Sequence, residues 1–385
     1  MKKKKRKICF ILTSQIHYAR NKLIIQELAK RNDVELQIVV GGSAVLKKYG
    51  DVETWLRNDG LTSNARVTMV VEGGSNVAMA KTAGLGLIEF TSLFENLSPE
   101  LVVVRGDRYE VLPAAMAAVY MNKTVAHIEG GDMTGSIDES IRHAVTKLAH
   151  IHFATNNESA ERIRKMGENP RYIFNVGSPD VEFAAVNVRS IVSADINSVG
   201  VGKRLDFTKP FLMTVQHPVT TEMGQNERNV EQTLQAISAL GMPTVWFWPN
   251  IDAGTDEISH AIRKFREMSD IDAYTRFIKY LPPEKFISLL AKTACLVGNS
   301  SAGIKECSWF GTPVVNIGDR EKGRMRAHNV IDVDCDRWKI QRAIKKQLKI
   351  GRHSRSYMYY KKNTSKAIAK ILATCDLYVQ KKFYT

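Results

Sequence analysis

Leu101–Asp132 reads LVVVRGDRYEVLPAAMAAVYMNKTVAHIEGGD. Two short apolar runs, Leu101–Arg105 and Thr124–Ile128, flank the helical-period stretch Pro113–Met121. An apolar run with no polar alternation suits a strand covered on both faces, and strand, helix, strand in that order predicts a parallel β-α-β unit. The same alternation runs outward in both directions. Further strands are expected at Ile8–Leu12, Glu35–Val40, Ile151–Ala154, Ile173–Val176, Phe211–Val215, Thr244–Trp248, Cys295–Gly298 and Pro313–Ile317. Amphipathic helices are expected at Asn21–Arg31, Val77–Glu95 and Ile141–Leu148. The pattern defines an α/β protein with parallel sheets covered by helices on both faces.

The chain has 385 residues, enough for two domains that each bury a core. Val188–Pro210 is poor in bulky apolar side chains, and a clear strand restarts at Phe211. The expected division is a first domain over 1–188, a linker over 189–210, a second domain over 211–355 and a helical end over 356–385. Composition is ordinary for a globular protein, at 44% hydrophobic and 25% charged. The five cysteines are scattered, which argues against a disulfide framework or thiolate zinc site. The net charge is +15, but the lysine run Lys2–Lys7 contributes +6 and Arg337–Thr385 contributes +13, leaving Ile8–Asp336 at −4. A mildly acidic body between basic ends argues against a nucleic-acid-binding surface. The apolar run after the lysines is too short for a signal-peptide core of ~7–15 residues. No stretch approaches the ~18 apolar residues of a membrane span. A cytoplasmic protein without membrane attachment is expected.

In parallel sheets ligands bind beyond the carboxyl ends of strands, so polar residues placed there carry the information. No Gly-x-Gly-x-x-Gly, Walker-type loop or His-Glu-x-x-His motif occurs, which weakens nicotinamide, ATPase and zinc-protease readings. Instead, Asp107 and Arg108 follow the Leu101–Arg105 strand. His127 and Glu129 stand two residues apart at the end of the next, before a Gly pair. Asp138 opens a helix, with Arg142 and His143 one turn on. Three carboxylates converging after neighbouring strands can hold their pKa values apart and supply both a base and an acid. In the second half His217 follows one strand and Asn250 the next. The run Gly298-Asn299-Ser300-Ser301-Ala302-Gly303 then leads from a strand into a helix. Such a loop offers backbone N–H groups and hydroxyls to a phosphate. Glu306, one turn into the helix, is placed to accept from a ribose diol, and Arg320 and Arg324 can complete the anion site.

Together the segments GDRYE, HIEGGDMTGSIDESIRHAVTKLAH, HPVTTE, PNIDAG, GNSSAGIKE and FGTPVVNIGDR resemble the hydrolysing UDP-N-acetylglucosamine 2-epimerase family, from about Asp33 to Ile331. The resemblance implies a glycosyltransferase-B-type fold: two Rossmann-like domains facing across a cleft, with a C-terminal helix crossing back to the first. It implies conversion of UDP-N-acetylglucosamine and water to N-acetylmannosamine and UDP. UDP leaves C1 as the C2 proton is removed, and water then adds to the bound 2-acetamidoglucal. Asp107, Glu129, Asp138 and His217 match the catalytic positions. Asp138 is then the expected C2 base, Glu129 the acid/base of hydration, and Asp107 an orienting group. His217 would balance leaving-group charge. Ser300, Ser301, Glu306 and Arg320 match the uridine-diphosphate site, with Arg108, His127, Arg142, His143, Asn250, Asn299 and Gly303 as further substrate contacts. No cofactor and no metal are implied, and a homodimer or homotetramer is.

One position departs from the family. Its first strand is usually followed by Thr-x-x-Arg-Ala-(Asp/Glu)-Tyr, whose Arg faces the phosphates. Here Thr13–Arg20 reads TSQIHYAR, with Ile16 in that place. Either Arg20, one turn later, substitutes, or the sugar differs, as a 2,4-diacetamido-trideoxy hexose of the bacillosamine type would. A non-hydrolysing epimerase and a retaining glycosyltransferase are the competing enzyme readings. The second needs no C2 base.

Overall fold

The computed structural model describes residues 4–385, so Lys2 and Lys3 of the basic run lie outside it. The first sheet holds β1 (Arg6–Leu12), β2 (Val34–Gly41), β3 (Ala65–Val67), β4 (Leu101–Arg105), β5 (Thr124–Ile128), β6 (Ile151–Ala154) and β7 (Ile173–Asn175). All its pairings are parallel, in the order β3-β2-β1-β4-β5-β6-β7. The second holds β8 (Val201–Gly202), β9 (Leu212–Val215), β10 (Thr244–Phe247), β11 (Thr275–Ile278), β12 (Cys295–Gly298), β13 (Val314–Ile317) and β14 (Val330–Val333). Its order is β14-β13-β12-β9-β10-β11-β8, with only β8 antiparallel. Each sheet reverses its winding once, at β1/β4 and at β9/β12. A crevice opens at each reversal, beyond the strand ends. This is the two-domain glycosyltransferase-B arrangement.

Alternation along β1 shows why the sheets form. Ile8, Phe10 and Leu12 join the core on one face, while Cys9 and Ile11 join the core on the other. Because both faces are covered, the strands read as continuous apolar runs. Four short strands were not foreseen. In β3, β8, β11 and β14, two to four residues with Gly, Arg or Asp among them leave no apolar run to see.

The stretch expected as a linker is built into the second domain. It carries the helix Ser193–Asn197 and the strand β8, and Arg276 of β11 donates to the carbonyls of Asn197, Val199 and Gly202. The expected C-terminal helix is also shorter than drawn. The helix Arg337–Ile350 stops at Gly351 (φ 74°), and only Thr364–Thr374 is helical beyond it. That last helix crosses to the first domain and places Ile368, Ala369 and Leu372 in its core. Residues after it continue over the same domain, with Thr124 donating to the Tyr378 carbonyl (2.9 Å) and Tyr384 N–H to the Gly167 carbonyl (3.1 Å). The basic end therefore has a packing role. Along Arg337–Ile350, Ile340, Ala343 and Ile344 face inward and Arg342, Lys345, Lys346 and Lys349 face solvent.

The helix Asn76–Leu97 is long and apolar enough to cross a membrane by length and composition. It reads in sequence as an amphipathic segment and packs on the first core through Phe90 and Phe94.

Candidate active site

The two crevices face one another, and the post-strand residues meet there. Asp107, directly after β4, is gripped by the fully buried Arg142, whose other nitrogen donates to the Asp132 carbonyl (3.0 Å) and Thr134 Oγ (3.3 Å). Arg324 of the second domain lies 3.9 Å from the same carboxylate. Burial alone would raise the Asp107 carboxyl, but Arg142 and Arg324 outweigh it and hold it below the usual carboxylate range. Asp138, at the first turn of the helix Ile137–Leu148, behaves in the opposite way. Burial, and next the Asp107 charge, push it up to about 6 against the pull of Arg320. Arg320 reaches across the cleft to within 3.4 Å of Asp138. Two neighbouring carboxyls are thus split in proton affinity, one permanently ionised and one poised near neutrality, as paired acid–base chemistry requires.

Glu129 sits just past β5 with φ +74°, a left-handed conformation rarely taken by a residue with a long side chain. The turn removes it from the face it would share with His127 in a regular strand. Arg105 donates to its Oε2 through Nε (3.2 Å) and Nη2 (3.1 Å), and Lys305 of the second domain contacts its Oε1. Arg105 also binds Asp180, and Lys305 lies 3.5 Å from that carboxylate. Arg105, Lys305, Asp180 and Glu129 are all buried. A buried charge left without its partner costs about 3–5 kcal/mol, and the several contacts within this cluster spread that cost.

On the other wall the loop after β12 kinks sharply. Gly298 (φ +136°) packs so close to the Val215 carbonyl that a Cβ would lie 2.0 Å from it. Ser300 caps the short helix Ser301–Ile304, and a second short helix, Glu306–Phe310, begins after Lys305. Arg20, on the helix Gln15–Ala29 of the first domain, donates to Ser301 Oγ (3.0 Å) and lies 3.9 Å from Glu306 and 3.5 Å from Asp180. Glu306 is buried, and its Oε2 has no hydrogen-bond partner. His217 is locked by Asn299, which accepts from its backbone N–H (2.7 Å) and donates to its carbonyl (2.8 Å). The imidazole Nδ1 accepts from Asn250 N–H (3.3 Å), leaving Nε2 to carry the proton. Burial, then the Arg320 charge, bring His217 down to about 3, so the ring is a neutral donor.

Beside these groups lies a cavity lined by Ile16, Arg20, Arg108, His217, Asn250, Ser300 and Glu306. Its lining also holds the aromatic residues Phe247, Trp248, Tyr280 and Phe286 from the second domain and Trp55 from the first. A cavity that combines aromatic side chains with a few charged and polar groups is a candidate ligand site. Arg108 bridges to Asp252 of the second domain (2.9 Å).

Several expected contacts turn out to be supports. His127 has no exposed surface and engages both ring nitrogens, with the Gly106 carbonyl (2.9 Å) and Thr146 Oγ (3.1 Å). Arg142 serves Asp107, and Asn299 serves His217. His143 lies against Glu139 (3.7 Å); like Asp107, Glu129, Asp138 and Arg320, it is not among the residues that line the cavity. Gly303 is needed for packing, since a Cβ would come within 2.9 Å of Val314 Cγ1. The sequence reading missed Arg105, Asp180, Asp252 and Lys305 as site residues, together with the aromatic lining of the cavity. Asp180 does follow β7 in the run Gly177-Ser178-Pro179, so the post-strand rule reaches it. Tyr280 and Leu281 follow β11, the strand that went unrecognised. Among the described residues no cluster of His, Cys, Asp and Glu could hold a metal ion.

Two Rossmann-like domains with carboxylates and an aromatic and polar cavity between them define an α/β protein of the glycosyltransferase-B type. Residues 26–373 match the family described as UDP-N-acetylglucosamine 2-epimerase, and the chain belongs to that family. It is 31% identical to the UDP-N,N'-diacetylbacillosamine 2-epimerase (hydrolyzing) of Legionella pneumophila, over 97% of each chain. It is 28% identical to the UDP-N-acetylglucosamine 2-epimerase of Neisseria meningitidis, over 90% of this chain and 89% of that one. The solved structure of the Methanocaldococcus jannaschii UDP-GlcNAc 2-epimerase, in complex with UDP-GlcNAc and UDP, superposes with a TM-score of 0.79 over 95% of this chain and 99% of that one, at 19% identity.

Proposed function

We propose that this enzyme is a hydrolysing 2-epimerase of a UDP-activated 2-acetamido hexose, with UDP-N-acetylglucosamine as the first substrate to test. The observation that supports it best is the split pair Asp107 and Asp138 beside Arg320 and the nucleotide cavity. The C2 proton is weakly acidic, so a carboxylate near neutrality must remove it while the diphosphate leaves C1. Asp138 takes that proton as the C1–O bond breaks, its electrons leaving with UDP, and a C1=C2 double bond remains. His217, Arg20 and Arg320 offset the charge on the departing diphosphate. The elements of one water then add across the double bond, hydroxyl to C1 and the proton to C2 through Glu129, on the face opposite the one it left.

A second reading, a UDP-2,4-diacetamido-trideoxy hexose, is favoured by Ile16, an apolar residue in the cavity wall, and by the likeness to the Legionella enzyme. Incubation with each UDP-sugar, with UDP release followed enzymatically and the sugar by proton NMR, tests the proposal. One equivalent of UDP and one of the free 2-epimer are expected from one substrate or both. A product that keeps its UDP makes the enzyme a non-hydrolysing epimerase. No UDP release from either sugar overturns the proposal.

A further inference from the structure

Lys305 has so far appeared only as a member of a buried charge cluster. Its position is unusual. It stands at the break between the helices Ser301–Ile304 and Glu306–Phe310, with φ −92° and ψ −72°, and its side chain is fully buried. From there it leaves the second domain and contacts Glu129 Oε1 of the first. Asp180 lies 3.5 Å from its Nζ, and Arg324 is 4.0 Å from the same Glu129 oxygen.

Glu129 Oε2 is already taken by Arg105 from its own domain, through two nitrogens. Arg105 alone would leave Oε1 to swing about the carboxylate axis. With Lys305 on Oε1, both oxygens are fixed, one from each domain. The left-handed backbone of Glu129 points the same way, because such a conformation persists only where surroundings over-determine it. Asp138 makes no ion pair with Lys305; its cross-domain partner is Arg320. The second domain therefore reaches the two reacting carboxyls through separate basic side chains, Lys305 and Arg320.

We propose that Lys305 is a positioning residue for the hydration half of the reaction, aiming Glu129 from across the domain interface while leaving the elimination half to Asp138. The assignment rests on the hydrolysing 2-epimerase reading above. It predicts a defect in product partition, which loss of packing alone does not produce. A general fault in folding or closure slows both halves together. A misaimed Glu129 lets UDP leave but strands the glucal.

The test compares wild type, Lys305→Met, Lys305→Arg and Glu129→Gln as full chains with UDP-N-acetylglucosamine and UDP-N,N'-diacetylbacillosamine. UDP and sugar products are counted in the same sample, and thermal unfolding and UDP affinity report the fold. In Lys305→Met, UDP release is expected to stay within about 10-fold of wild type while free 2-epimer per UDP falls about 100-fold, the balance appearing as the glucal. Glu129→Gln should reproduce that partition, and Lys305→Arg, which keeps a cation at the contact, should restore one sugar per UDP. Lys305→Met losing UDP and free sugar in parallel overturns the proposal, as does Lys305→Arg behaving like Lys305→Met. Should Lys305→Met not fold, the Lys305→Arg partition set against Glu129→Gln decides. Failure of wild type to release UDP refutes the parent reading instead.

Discussion

Arg320 Nη2, on the loop after β13, lies 3.4 Å from Asp138 Oδ2 on the opposite domain. Arg320 rests on the carboxyl whose proton affinity lies near neutrality, and its charge holds that affinity down. Without that charge Asp138 would be left to its burial and to the Asp107 charge, both of which raise its proton affinity.

The pH dependence follows. With Asp138 at about 6, the base is ionised above that value, and UDP release should fall as pH drops through 6. Asp138→Asn should abolish it, and Arg320→Met should move the acid limb to higher pH. Stability runs in the opposite sense. A carboxyl whose folded value lies above its ordinary one of 3.8 costs stability once ionised, and that cost builds between pH 3.8 and 6. Asp138→Asn should therefore melt higher than wild type at pH 7.5, with the difference closing toward pH 4. A lower melting temperature at pH 7.5 would contradict this account.

The loops after long, fully buried strands were legible in the sequence. Asp107, Glu129, His217 and the Ser300–Ser301 run all follow strands whose apolar runs announce them. What stayed hidden depended on geometry that no local pattern carries. Lys305 and Asp180 meet only through the tertiary fold, and no spacing reveals a contact between residues 125 positions apart. The aromatic lining of the cavity was missed because β11 is four residues long and carries Arg276, so nothing marked the loop behind it. His127 was over-read for the converse reason. A histidine at a strand end looks like a ligand until both nitrogens are found satisfied inside.

His217, with Nδ1 accepting and its value near 3, acts as a neutral Nε2–H donor throughout the working range. Replacement by leucine should lower kcat by about 10²–10³-fold, the loss expected for one preorganised donor. Glutamine can still donate and should retain more. The acid limb of the His217→Gln pH profile should coincide with that of wild type, since the limb belongs to Asp138.

Glu306 lines the cavity, and its Oε2 has no protein hydrogen-bond partner, which leaves it open to a ribose hydroxyl. A hydrogen bond to a charged group is worth about 1.5–3 kcal/mol. Glu306→Ala should accordingly raise KM for the UDP-sugar, and Ki for UDP, by about 10–100-fold, with kcat little changed. A fall in kcat at constant KM would place Glu306 in the chemistry instead of the ribose site.

Leu372 of the crossing helix is fully buried in the first domain's core, far along the chain from the strands it covers. Leu372→Ala should cost about 2–5 kcal/mol in chemical denaturation. Replacing the solvent-facing Lys345, Lys346 and Lys349 with glutamine should change stability by less than about 0.5 kcal/mol. Comparable losses from the two would mean that the basic face, too, is packed.

Ile16 and Arg20 are four residues apart on the helix Gln15–Ala29, and both line the cavity. Residues so spaced share one helix face, so a guanidinium carried from position 16 can sweep space that Arg20 reaches from one turn later. If Arg20 has taken over the anion contact, Arg20→Met should lower kcat/KM by about 10–100-fold, the range of a charge-assisted hydrogen bond. Ile16→Arg added to it should then recover at least about 10-fold. If Ile16 instead shapes the wall for a less polar sugar, the double variant gains nothing. Ile16→Arg alone then shifts the ratio of kcat/KM values toward UDP-N-acetylglucosamine and away from the diacetamido sugar. The two explanations of this one position predict opposite outcomes in the double variant, so measuring both substrates on these three variants separates a relocated phosphate contact from a changed sugar pocket.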